Sequence, residues 1–484
     1  MAATADQEAI DAVAEKFRRG DLVGARADCN CFFAAVTDSL RQAPLRFWLG
    51  AIEQRGGALS AAVEQFELAL QADRHNLQYL LQLGTVHLQR RELDRAEGCY
   101  REAIRLDARL PLAHYNLGVV LQQKLDLAGA QSAFEAAILH RPNFPEALTN
   151  LANVLVALGS DDRAAQCYGQ AIAINPGLAN AHHALGLLHR RRNRREAAML
   201  CFDAAVRHGP EFVDAWLDLA ELHFAGGNAL RAVACVEQAL KHEPANETAR
   251  FKRAQYGGEQ PAQIPHEVVA RLYAGMASTF DNHLVEHLDY RTPSLLIEQL
   301  KPWLQEFAAR GSHGPAVLDL GCGTGLFGVA IRSYASTLAG VDLSAEMLAK
   351  AADRGIYDEL SKSDFLSHLQ TDGGVCELIA ASDVLIYTGN LEPLFGCIAA
   401  RLPVEGVFAF SVESPRDLAA DYRLESSGRF SHRPDYIRRI AASVGLEQLT
   451  FSESVIRTEA GAPIRGCLFT LKKSVSPRAS SASA

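Results

Sequence analysis

Long apolar runs are missing from this 484-residue chain. No stretch reaches the roughly 18 apolar residues that a membrane-spanning helix needs, so no spanning helix is expected. Among ten cysteines there is no Cys-x-x-Cys pair, which removes the usual zinc and dithiol redox motifs. The start, Met1-Ala2-Ala3-Thr4-Ala5-Asp6, lacks the charged-then-apolar pattern of a secretory leader. A cytoplasmic, reduced protein is the expectation. Basic excess is missing too. Lys and Arg number 48 against 57 Asp and Glu, a formal charge of −9. Residues 1–258 carry −2 of it and residues 259–484 carry −7. Binding a phosphate backbone needs the opposite balance, so neither nucleic acid nor a membrane is an expected partner. What is present is ordinary for globular protein: 48% hydrophobic residues, and length enough for two or three domains.

The first half repeats itself. Gly50, Gly84, Gly118, Ala152, Gly186 and Ala220 recur every 34 residues. Ala62, Ala96, Ala130, Ala164, Ala198 and Ala232 keep the same beat, as do Phe66, Tyr100, Phe134, Tyr168, Phe202 and Val236. Pro142, Pro176, Pro210 and Pro244 close four of the units. Each unit reads as two amphipathic helices. The small residue lets the first helix sit close to the second, and proline ends the pair. One such unit cannot bury its own apolar face, so neighbours must stack. Six units cover 43–246, and a looser one lies at about 6–42. The spacing resembles the tetratricopeptide repeat family, which implies an all-α superhelix with a protein or peptide partner on its concave face. On that resemblance His114, Tyr115, His182 and Trp216 would line the groove. Cys99, Cys167, Cys201 and Cys235 share one register and read as small apolar fillers. The run Arg190–Arg195 falls on a turn, either simply solvated or meeting an acidic partner.

The array is expected to span 6–256, ending in a capping helix. Gly257, Gly258, Pro261 and Pro265 then mark a linker over 257–265. Beyond it, apolar runs at 316–320, 337–342, 377–383, 405–412, 446–453 and 465–472 alternate with helical stretches. Such alternation predicts an α/β domain over 266–473 with a parallel sheet covered on both faces. The Ser/Ala-rich stretch 474–484 reads as disordered.

Chemistry concentrates at Asp319-Leu-Gly321-Cys322-Gly323-Thr324-Gly325. A buried strand ends in an acid, a glycine-rich turn follows, and a helix begins at Leu326. A second strand ends at Asp342. Gly323-Thr-Gly325-Leu-Phe-Gly328 formally matches the dinucleotide pattern G-x-G-x-x-G. An oxidoreductase is therefore one reading, with Asp342 on a ribose. Against it, an acid at the first strand tip repels a pyrophosphate, whereas it suits a ligand carrying an ammonium and a sulfonium.

The loop aligned on Asp319, Gly321, Gly323 and Gly325 resembles that of class I S-adenosylmethionine-dependent methyltransferases. Ser363-Asp364-Phe365, Ala381–Tyr387 and Glu405–Glu413 follow in that family's order. The resemblance covers about 266–473 and implies a Rossmann-like sheet of seven strands, the last antiparallel, with S-adenosyl-L-methionine as cofactor. It puts Asp319 near the cofactor ammonium, with Gly321, Cys322, Gly323 and Gly325 beneath its methionine part. Asp342 would hold the ribose hydroxyls, Leu343 and Met347 would flank adenine, and Asp364 beside Phe365 would hold the adenine amine. Tyr273, Phe280, Tyr290 and Arg291 would belong to a helical lid. Candidate bases are His432 and Asp383, with His283 and Tyr387 as alternatives. No Asn-Pro-Pro-Tyr-type tetrapeptide follows the fourth strand; Ser382-Asp383-Val384-Leu385 stands there instead, which disfavours the amide and exocyclic-amine acceptors of enzymes bearing that motif. A scaffold that binds cofactor without turnover is the third reading.

Overall fold

The computed structural model describes residues 2–274, 290–311, 313–371, 374–415, 420–425, 427–459 and 462–474. Phe280, His283 and the stretch 475–484 lie outside them. The chain divides into two compact units, Met1–Leu219 and Ala220–Ala484.

Helix pairs build the first half, from Ala2–Arg19 with Leu22–Ala35 to Val213–Ala225 with Ala229–His242. A capping helix, Glu247–Gly257, follows. The small residue of each repeat has a direct cause. A Cβ on Gly118 would sit 2.7 Å from the Phe134 ring, and Gly50, Gly84 and Gly186 face Phe66, Tyr100 and Phe202 in the same way. A further register is visible only in the backbone. Gly57, Arg91, Leu125, Gly159, Asn193 and Gly227, one per repeat, all have positive φ in the turn between paired helices. Half of these positions carry a Cβ in a conformation that disfavours one.

The residues expected to line a groove have local partners. His114 and His182 bond through Nε2 to the carbonyls of Ala108 and Pro176, and Trp216 Nε1 donates to Pro210 at 2.8 Å. Asn150 Nδ2 donates to the Tyr115 hydroxyl. The arginine run meets acids of this chain: Arg190 pairs with Asp218, Arg191 with Asp161 and Arg192 with Asp162. Cys99 packs in the core, and burial pushes its thiol up to about 11.

In the second unit β1 (Ala316–Leu320), β2 (Thr337–Asp342), β3 (Glu359–Lys362), β4 (Leu378–Ala381) and β5 (Val407–Glu413) run parallel in the order β3-β2-β1-β4-β5. Two short strands then form a hairpin, β6 (Tyr422–Leu424) and β7 (Phe430–His432), attached to β5 through Glu413 and Ser431. The long pair β8 (Leu446–Glu459) and β9 (Ala462–Lys473) completes the sheet, with β9 antiparallel to β5. Seven strands are expected; among the described residues nine are found, because the β6–β7 hairpin is inserted after β5. Apolar residues alternate between faces as a doubly covered sheet requires. Val317, Leu378 and Val407 pack with Leu296, Leu300 and Trp303 of the helix Thr292–Ala309, while Leu318, Ile379 and Phe408 pack on the other side with Phe395 and Ile437. The strand β3 escaped prediction because Glu359-Leu360-Ser361-Lys362 offers one apolar residue.

The predicted linker is not loose. Ile264 N–H donates to the Tyr387 carbonyl, Gly389 and Asn390 N–H donate to the Ala262 carbonyl, and Gln263 bridges Thr388. Phe251 of the capping helix joins Ile264, Val269, Ile386 and Phe430 in one buried cluster. The segment after the cap is therefore a strap laid across the loop that follows β4.

Candidate active site

The C-terminal ends of parallel strands open onto one edge of the sheet, where ligands of such sheets bind. A cavity of about 710 Å³ lies there. That volume is in the upper part of the range, about 300–1,000 Å³, of small-molecule sites. Its wall is made by the glycine loop, the tips of β2 and β4, the turn before the helix Phe365–Thr371, and the strap at 262–273.

The loop is held by the two acids that frame it. Asp342 Oδ2 accepts from Gly323 N at 2.9 Å and Oδ1 from Ser344 N at 2.8 Å. Burial raises its carboxyl, partly offset by these backbone bonds. Gly323 has positive φ, and a Cβ added there would meet nothing. The loop thus presents bare backbone to the cavity. Asp319 is fully buried at the tip of β1, and its Oδ2 accepts the Tyr357 hydroxyl at 2.7 Å. Burial pushes this carboxyl up to about 7, against the lowering by that hydrogen bond. Tyr357 is a residue the sequence reading missed. Its ring fills the space beside Gly328 and Gly340, where a Cβ would lie 2.3 Å and 2.9 Å from its atoms. Gly340 inside a strand was the available signal, because such a glycine marks a close approach.

Most expected residues meet at this edge. Asp319, Gly321, Cys322, Gly323, Asp342, Leu343, Met347, Asp364 and Phe365 all line the cavity, as do Tyr273 and Tyr290. Gly325 is turned away from it and starts the helix Leu326–Ile331. Asp364 caps the next helix by accepting from Ser367 N at 2.9 Å. Arg291 is exposed and off the cavity wall, with its N–H donated to the Ile456 carbonyl.

The end of the cavity at β4 is polar and aromatic. The Tyr273 and Tyr387 hydroxyls share a hydrogen bond, and Tyr290 shares one with Ser382 at 3.0 Å. Asp383 has φ +58°, which strains a residue with a Cβ. Two partners hold it there. Its N–H donates to Ser411 Oγ at 2.9 Å, and Arg457 Nη1 donates to both carboxylate oxygens at 2.9 and 2.8 Å. Arg457, only 2% exposed, also bonds Glu413 through Nη2. Asp383 is thus an ion-pair partner with its carboxylate engaged. His432 lies off the cavity wall, fully buried on β7. Its Nε2 donates to the carbonyls of Thr388 and Gly389 at 2.9 and 3.1 Å. Burial pushes its pKa down to about 4. It braces the loop after β4. Arg457 and Arg429, both on the cavity wall, were missed because neither belongs to a motif.

Among the described residues, no group of three or more His, Cys, Asp or Glu is placed to hold a metal ion. No described helix is long and apolar enough to cross a membrane.

Comparison with known proteins gives two kinds of match. A family model described as a methyltransferase domain matches residues 291–450. Models of the tetratricopeptide repeat match 152–192, 81–130 and 183–234. No curated protein matches the chain. Among solved structures, a tetratricopeptide repeat protein from Parabacteroides merdae is 16% identical, with TM-score 0.42, over 52% of this chain and 99% of that one. Pseudomonas aeruginosa pilF is also 16% identical, with TM-score 0.40, over 44% and 96%. YrrB, described as a TPR protein with an unusual peptide-binding site, is 22% identical, with TM-score 0.33, over 39% and 97%.

Proposed function

We propose that this chain, a tetratricopeptide-repeat methyltransferase, transfers the methyl group of S-adenosyl-L-methionine to an acceptor seated at the β4 end of its cavity. The repeats serve to hold a protein or peptide partner. One observation carries the choice of cofactor: a buried acid, Asp319, sits directly beneath the glycine loop. A dinucleotide would have to bring its pyrophosphate to that loop, against the carboxylate. A ligand with an ammonium gains from it.

The residues present fit such a ligand. Strands lie about 4.8 Å apart, so a nucleoside laid from β1 across β2 to β3 meets Asp342 first and Asp364 next. Asp342 suits the ribose hydroxyls, Met347 and Leu343 the adenine face, and Asp364 its amine. The loop backbone and Asp319 take the methionine part. Tyr273 and Tyr290 offer aromatic faces to a cationic centre. When bound, the cofactor supplies an activated methyl with a neutral leaving group. The chain's own task is alignment: the β4 loop, strap and tyrosines hold the acceptor in line and exclude water.

Incubating the full chain with methyl-labelled S-adenosylmethionine and a cell extract tests this reading. Label moved to an acceptor supports it. Cofactor bound without transfer would mark a scaffold, and reduction of a nicotinamide would mark an oxidoreductase.

A further inference from the structure

We infer that Arg457 is a positioning residue for the transfer: acting through Asp383, it fixes the loop after β4 so that an acceptor seated there lies in line with the methyl group. This rests on the methyltransfer reading above. Three observations lead to it.

First, β8 carries a local device that turns Arg457 to the cavity. Val455 pairs with Arg465 of β9, yet Arg457 pairs with the adjacent Ile464, so Ile456 is an extra residue on β8. Such a bulge bends its strand and re-aims side chains, and bulges gather beside active sites. Ile456 packs into the core with Leu296 and Val317, while Arg457 reaches the cavity wall. Two residues hold the bulge. Arg291 N–H donates to the Ile456 carbonyl at 3.1 Å. Gly466 leaves room for the Ile456 side chain, since a Cβ there would lie 2.8 Å from its Cδ1.

Second, the guanidinium ties two strand ends together. Nη1 donates to both oxygens of Asp383 in the loop after β4, and Nη2 donates to Glu413 at the end of β5. The Arg457 and Asp383 side chains are 2% and 13% exposed. Burial raises the Glu413 carboxyl, and the Arg457 and Arg429 charges both lower it, so two acids and two guanidinium groups sit together here. A buried ion pair is often no more stabilising than apolar residues of the same volume. What this one supplies is a fixed geometry.

Third, the part held is strained and carries the acceptor end. Asp383, at φ +58°, keeps that conformation only while its surroundings impose it. Ser411 Oγ holds its N–H and Arg457 its carboxylate. The same loop bears Ser382, bonded to Tyr290, and Tyr387, bonded to Tyr273. Burial raises all three phenols, and the nearby Asp383 charge raises each further. Releasing Asp383 therefore shifts the groups an acceptor would touch. The glycine loop and Asp342 belong to β1 and β2 and stay in place. A misplacement of about 1 Å in such a frame can cost about a hundredfold in rate.

The test uses the full chain, saturating labelled S-adenosylmethionine, and a cell extract as the source of acceptor. Arg457→Gln should lower the rate at saturating extract about tenfold or more, while the extract concentration giving half that rate and the S-adenosylmethionine affinity, read by calorimetry, each stay within about twofold. Asp383→Asn keeps its shape and weakens the same link, so it should reproduce the loss. The double variant should be no more than about twofold slower than either single one, because both changes break one link. Arg457→Gly should regain transfer when guanidinium ion is added, because the vacated space opens on the cavity. If the Gln variant fails to fold, Asp383→Asn and the guanidinium rescue decide. An unchanged rate in Asp383→Asn overturns the inference. So do losses that track cofactor affinity, fully additive losses in the double variant, or a folded Arg457→Gly chain that guanidinium does not revive. A wild-type chain that binds no S-adenosylmethionine, or binds it and moves no label, would instead overturn the methyltransfer reading.

Discussion

Tyr357 donates its hydroxyl to Asp319 at 2.7 Å from beneath the glycine loop, with its ring in the space that Gly328 and Gly340 leave open. This phenol thus accounts for Gly328, shares with Leu360 and Cys322 the space beside Gly340, and positions the acid on which the cofactor assignment turns.

That acid makes stability depend on pH. Its folded pKa is raised from 3.8 to about 7 by burial. A raised carboxyl contributes stability that is present below the unfolded pKa and lost as pH rises through the folded one. Urea midpoints measured at pH 5 and pH 8 should show wild type losing on the order of 3 kcal/mol more than Asp319→Asn over this window. Equal losses in both proteins would mean that Asp319 is ionised in the folded apo state.

Two substitutions one repeat feature apart should have opposite signs. Gly118→Ala forces a methyl to within 2.7 Å of the Phe134 ring and should destabilise by about 1–3 kcal/mol. Leu125→Gly relieves a left-handed residue that is 83% exposed and should stabilise by roughly 1 kcal/mol. Thermal melts of the two variants check this. A destabilised Leu125→Gly would show that the entropy glycine adds to the unfolded chain outweighs the strain relieved.

The capping helix is expected to travel with the catalytic unit. Phe251 shares a buried cluster with Ile264, Ile386 and Phe430. A fragment of residues 244–484 should therefore fold and bind cofactor, whereas 259–484 loses that cluster member and should melt lower by several degrees, as loss of a large core side chain costs about 3–5 kcal/mol. Equal melting temperatures would place the boundary at the glycine pair instead.

Much of this was legible in the sequence. The 34-residue beat gives the repeats because each register has a steric cause, as Gly118 and Phe134 show. The Asp319–Gly325 loop and Asp342 declare the site because their types and spacing are dictated by one local turn. What stayed hidden depends on contacts far apart in sequence. Arg457 meets Asp383 across 74 residues, and nothing near either announces the other. His432 looked like a loop histidine because the β6–β7 hairpin, only three residues a strand, has too little apolar pattern to predict. The strap at 262–264 read as linker because its bonds are backbone only.

The most direct test is calorimetric titration of the full chain with S-adenosylmethionine and, separately, with NAD. Saturable binding of the sulfonium ligand is expected, with silence from the dinucleotide and a weakening by about 1–3 kcal/mol in Asp342→Ala, from the lost charged hydrogen bond. Binding of NAD with none of S-adenosylmethionine would contradict the cofactor assignment.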